Sequence, residues 1–265
     1  MNTEFSISII KADGTCALKQ AGSAEAHAVY QTEYQKGDII RIDSSKKPAF
    51  AVVQLDFGLQ PAFVCIKDTF EFPVPFDEKK FCYPPQSFSG NLHYIHIRRA
   101  RSEEISVRKN LAFNPADGHF NKGFFPHASA NIETRGESVF AARNAIDGII
   151  ANSSHGNWPF ASWGINRDPQ AQLKIDFGRN VKIDELVFYL RADFPHDAWW
   201  QSGTVHFSDG TDFTANFVKT GAAQSFKIPE KTISWLVLDT LIKADDPSPF
   251  PALTQLEVYG TEASV

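Results

Sequence analysis

Leu173, Ile175 and Phe177 alternate with Lys174 and Asp176, the period-two pattern of a strand with one buried face. The same reading predicts strands over residues 183–191, 204–207, 213–218, 224–228, 233–241 and 255–259. Ser208-Asp209-Gly210 supplies a turn between two of them. The first half of the chain reads alike, with strands over 5–10, 38–42, 49–57, 62–66, 70–72 and 92–98. Helical periodicity is confined to residues 138–146, stopped by Asp147-Gly148. Many short strands with Gly and Pro punctuation predict an all-β protein, a β-sandwich or jelly roll.

A weak internal repeat divides the chain. Gln54-Leu55-Asp56-Phe57-Gly58 precedes the apolar run 62–66, and Lys174-Ile175-Asp176-Phe177-Gly178 precedes the apolar run 183–190. This predicts two similar modules, 1–110 and 127–265. The segment between them, 111–126, is rich in Gly, Pro and Phe, and its aromatics predict that it packs between the modules.

Composition refines the picture. The 265 residues include 23 Phe, 16 Gly and 15 Pro, which suits strands and tight turns better than long helices. Lys and Arg total 26 against 31 Asp and Glu, a net charge of −5, which argues against nucleic acid as the partner. The basic run at residues 97–101 reads as a solvated edge strand. No stretch has the ~18 apolar residues that a membrane span needs. The N-terminus has no positive n-region and no apolar h-region, which predicts a cytoplasmic protein, or an extracellular one if a leader precedes this sequence. Cys16, Cys65 and Cys82 are odd in number and lack C-x-x-C spacing, so they are expected as free, buried thiols.

Sequence signatures of catalysis are missing: there is no G-x-S-x-G, P-loop, H-E-x-x-H or dinucleotide glycine pattern. His93 and His96 fall on opposite faces of one expected strand, which is poor metal geometry. The loop Asp245-Asp246-Pro247-Ser248-Pro249-Phe250-Pro251 reads as a solvated turn whose Asp246 approaches the rim described below.

From Ala130 onward the sequence resembles the discoidin / coagulation-factor type C superfamily, and within it the family 32 carbohydrate-binding modules. The resemblance rests on Asn144-Ala145-Ile146-Asp147-Gly148, the strand end Ile175-Asp176-Phe177-Gly178, Leu190-Arg191-Ala192-Asp193, Phe207-Ser208-Asp209-Gly210 and the closing Leu256-Glu257-Val258-Tyr259-Gly260. It implies two galactose-binding-like jelly-roll β-sandwich domains in tandem, the first by way of the internal repeat. It also implies a structural Ca²⁺. The ligands would be the carbonyls of Asn144, Ile149 and Leu256, the carboxylates of Asp147 and Glu257, and a side chain at Asn152. Six to eight hard oxygens would satisfy the ion. The competing reading is that Asp147 only caps the Asp-Gly turn while Glu257 sits on a solvent face.

Two loops concentrate rings and polar groups. His155 and Trp158 lie in one, with Asn166 close behind; Arg191, Asp193, His196, Asp197 and Trp199 lie in the other. A flat apolar ring can meet the C–H face of a pyranose while paired donors and acceptors fix its hydroxyls. Arg191 matches a position that often contacts ligand in the resembled family. One of Trp199 and Trp200 is expected in the core, since neighbouring strand residues face opposite sides, and Trp163 under the loop. The expectation is a non-catalytic saccharide-binding protein, with no membrane insertion and with oligomers as a route to avidity. Two alternatives stand: a cytosolic carbohydrate-active enzyme using the His and Asp residues of the same loops, and a protein-interaction module.

Overall fold

A computed structural model of the chain describes residues 5–263 except 153–155, 157 and 192–197. In the first half, β1 (Phe5–Ile10), β2 (Cys16–Gly22), β4 (Ile39–Ser44) and β7 (Phe70–Pro73) form one sheet in the order β2-β1-β4-β7. A second sheet runs β10-β6-β5-β8-β3, from β3 (Glu25–Tyr30), β5 (Ala49–Gln54), β6 (Ala62–Ile66), β8 (His93–Arg99) and β10 (Phe124–Phe125). Every pairing is antiparallel. Phe5, Ile7 and Ile9 on one side, and Ala51, Val53, Ile95 and Ile97 on the other, belong to one buried core, as expected when alternate residues of facing sheets point inward.

The second half is built on β9 (Lys109–Asn110), β11 (His127–Ala130), β12 (Trp163–Gly164), β13 (Leu173–Arg191), β14 (Trp200–Phe207), β15 (Asp212–Asn216), β16 (Gln224–Lys243) and β17 (Ala252–Glu262). Their order is β12-β17-β13-β16-β14-β15, with β11 on β13 and β9 on β17. Two pairs of expected strands fuse here. β13 is a single 19-residue strand and β16 a single 20-residue strand, with register shifts between Asp176 and Val181 and between Ile183 and Glu185 where they pair. The expected alternation holds: Leu173, Ile175 and Phe177 are fully buried and Lys174 and Asp176 are not.

The joining segment is part of both halves. β9, placed by the sequence at the end of the first module, pairs with Tyr259 and Gly260 of the last strand. Phe124 and Phe125 pair with Ile66 and Cys65 in the first half, and two residues later His127–Ala130 pairs with β13 in the second. Buried Asn114 donates to the carbonyls of Phe124 and Pro126, and buried Asp117 accepts from Asn121 and the Ala128 amide. Strand pairing thus ties the chain around this segment to both halves.

Several expectations need correction. The stretch 138–146 forms two 3₁₀ turns, Ser138–Phe140 and Ala142–Ile146, split by extended Ala141. Residues 139–147 are buried on all sides, which an amphipathic helix does not allow. β8, which carries part of the basic run, lies between β5 and β3 rather than at an edge, and Arg98 pairs with Glu104. Cys65 and Cys82 are free and buried, but Cys16 is exposed on β2. His93 is buried and His96 faces outward, as the spacing predicted. No helix among the described residues is long and apolar enough to cross a membrane.

Candidate functional site

Three strands meet at one end of the C-terminal sheet. Arg191, the last residue of β13, pairs with Ala252, the first of β17, and Ala252 also pairs with Gly164 of β12. A pocket of about 140 Å³ opens there, lined by Arg191, Ala252 and Gly164 together with Thr134, Phe140, Asn166, Arg167 and Phe250. Gly164 is required by its neighbours: a Cβ there would lie 2.7 Å from Thr134 Oγ1 and 3.3 Å from the Phe140 side chain.

The wall of the pocket is a tight turn. The Asp168 amide donates to the Ile165 carbonyl at 2.8 Å, and the two residues between, Asn166 and Arg167, sit at φ of 49° and 62°. Such left-handed positions are costly for a residue with a long side chain. The Asn166 amide is held by Thr134 Oγ1 at 3.0 Å. This geometry sends exposed Arg167 over the Phe250 ring, its guanidinium carbon 4.4 Å from the centroid. Arg191 is buried, with its guanidinium 6.0 Å from the Phe160 ring. Arg135, at the edge of the lining, is paired with Glu137 at 2.6 Å.

Of the residues the sequence singled out, Arg191 and Asn166 come together here. His155, Asp193, His196 and Asp197 lie outside the described residues. Trp158 is half-buried, with its indole N–H buried and unpartnered among the described residues, and it does not line the pocket. Trp199 packs against the C-terminal core, while Trp200 is fully buried beside Trp163. The ring at the pocket mouth is Phe250 instead. It comes from the proline-rich loop before β17, whose Asp246 is engaged with Lys219 at 2.9 Å rather than with the pocket. Thr134, Arg167 and Phe250 were not singled out by the sequence. The prolines around Phe250 were the one visible signal, since they hold an aromatic on a fixed path.

The residues expected to hold Ca²⁺ assemble differently. Asn144, Asp147 and Leu256 are buried, and the loop is tied to the last strand by Gly148 N to Gln255 Oε1 at 3.1 Å and Asn152 Nδ2 to Thr254 Oγ1 at 2.9 Å. Asn152 Oδ1 is buried without a partner among the described residues. Asp147 Oδ1 accepts from the Ile149 amide at 2.8 Å, and Oδ2 faces the Arg143 guanidinium at 3.6 Å. Burial pushes the Asp147 carboxyl above the usual carboxylate range. Glu257 bonds to the Tyr259 hydroxyl at 3.2 Å, and burial, with Glu185 adding to it, raises its carboxyl too. Among the described residues no three His, Cys, Asp or Glu side chains gather around one point. With a guanidinium beside Asp147 and Glu257 engaged elsewhere, these residues do not fit the expected ion.

The sequence matches no known family profile, and no curated protein matches it. Solved structures match part of the chain, each at low identity. Chitosan-binding module 1 from a chitosanase/glucanase of Paenibacillus sp. IK-5 is 18% identical, covering 57% of this chain and 99% of the module at a TM-score of 0.40. A fucose-binding module of Streptococcus pneumoniae is 15% identical, covering 58% and 99% at 0.42. The family 32 carbohydrate-binding module of C. perfringens NanJ, in complex with galactose, is 17% identical, covering 50% and 91% at 0.39.

Proposed function

We propose that this protein binds saccharides without transforming them, at the pocket where β13, β17 and β12 meet. The observation that supports this reading is the juxtaposition of Arg191, Asn166 and the Arg167–Phe250 stack around one small concavity. A pyranose presents an apolar C–H face and a rim of hydroxyls. Phe250 offers ring surface for the first, and the guanidinium of exposed Arg167, a planar fork of five donors, offers paired hydrogen bonds for the second.

A site this small gives an affinity on the order of 10⁻³ to 10⁻⁵ M for a single sugar. Calorimetry and a glycan array with the purified protein test the proposal. Binding is expected, weakened at least tenfold by Arg191→Ala or Arg167→Ala. Release of shortened sugars during incubation, read by mass spectrometry, would replace binding with catalysis. Silence across the array would end the saccharide reading.

A further inference from the structure

Resting on that reading, we propose that the ligand is an oligosaccharide. It would run from the terminal pocket across Arg135 into a cleft between the two halves of the protein, where the N-terminal half binds its remaining units. The pocket of about 140 Å³ is small beside the ~300–1,000 Å³ typical of ligand sites. The cleft measures about 940 Å³, at the top of that range. Arg135 lines both cavities, so the two spaces adjoin at one side chain.

The cleft repeats the chemistry of the pocket on a larger scale. Phe76 from the first half and Phe120 from the joining segment are half-buried and line it, leaving ring surface uncovered. Lys36 and Asp77 form an ion pair of 2.8 Å on the N-terminal side, and Arg135 and Glu137 form one of 2.6 Å on the other. Each pair neutralises itself, yet the Arg135 guanidinium, the Lys36 ammonium and the Asp77 carboxylate keep donors and acceptors beyond those spent on each other. A rim of this kind suits a neutral, hydroxyl-rich chain better than an anion or an apolar peptide.

Backbone conformation marks the same path. Six non-glycine residues among those described have positive φ, and four of them line these two cavities: Asp77 at 52°, Arg135 at 54°, Asn166 at 49° and Arg167 at 62°. Left-handed backbone at non-glycine residues costs free energy and clusters at ligand-binding places. Here it lies along one continuous route.

The test uses the full chain and an array of galactose, fucose, glucose, N-acetylglucosamine and galacturonic acid, each as monosaccharide and as oligomers of up to six units. Calorimetry then follows on the best series. The expected result is affinity at least tenfold higher for four to six units than for one. Lys36→Ala and Phe76→Ala should remove most of that gain and leave the monosaccharide constant unchanged, whereas Arg167→Ala weakens both. Phe76 also packs on the N-terminal core, so melting curves accompany it, and the exposed Lys36 carries the test if Phe76→Ala unfolds. Equal affinity for monomer and hexamer, or a length gain indifferent to Lys36→Ala and Phe76→Ala, overturns the cleft proposal while sparing the saccharide reading. Absence of binding to every sugar overturns both.

Discussion

The guanidinium carbon of Arg143 stands 4.4 Å from the centre of the Tyr83 ring, so a side chain of the second half completes the packing of the first. Both residues are buried. Arg143 also donates to the carbonyls of Pro115 and Asp117 and to Asn144 Oδ1, and it faces Asp147. One cation thus serves the N-terminal core, the joining segment and the loop before Gly148. Arg143→Ala would leave Asp147 without its counter-charge and two carbonyls without these donors, and it should cost on the order of 3–5 kcal/mol. Arg143→Lys keeps the charge but lacks the planar fork, so it should recover only part of that loss. Urea unfolding of the three proteins measures both.

Calcium is expected to leave stability unchanged, because Arg143 already supplies the positive charge at Asp147. Melting curves in EDTA and in excess Ca²⁺ should superimpose. An ion bound only by the folded protein would instead raise the midpoint with its concentration, and such a rise would restore the metal reading.

Phe124 tests whether the joining segment is structural. Its ring is fully buried and stacks on Phe70 at 4.1 Å with an interplanar angle of 16°. Phe124→Ala should destabilise by about 3–5 kcal/mol, as for other large core aromatics. A loss below ~1 kcal/mol in denaturant unfolding would mean that the segment behaves as a tether.

His206 gives stability a pH dependence of known sign. Its Nδ1 lies 2.6 Å from Asp212 and its Nε2 2.9 Å from Asp239, and these carboxylates, Asp212 foremost, raise its pKa in the folded protein. His119 is raised likewise by its bond to Glu133. A histidine with a raised folded pKa contributes fully below its unfolded value of about 6.5, and the contribution fades as pH rises through the folded value. The urea midpoint should therefore fall from pH 6 towards pH 8, less steeply in His206→Ala. Histidine NMR titration should place the His206 midpoint above 6.5; a midpoint below it would contradict the pairing.

Period-two alternation was enough to locate β1 and β6 to the residue and the two halves of β13, because it records which face of a strand loses water. The repeated Asp-Phe-Gly was legible for a local reason as well. Asp56 Oδ1 accepts from the Gly58 amide at 2.8 Å and Asp176 Oδ1 from the Gly178 amide at 2.7 Å, the same side-chain hydrogen bond in each half. β2 and β3 escaped notice. β2 is exposed along nearly its whole length, and β3 buries mostly alanine, so neither carries a contrast between apolar and polar faces. Arg191 was visible from its neighbours in sequence. Its companions were not: Thr134, Arg167 and Phe250 come from separate stretches of chain, each unremarkable alone. The pairing of Arg191 and Gly164 with Ala252 brings them to one place. Local sequence determines which side of each strand is buried. Strand register, settled only when the whole sheet packs, determines which loops share a pocket.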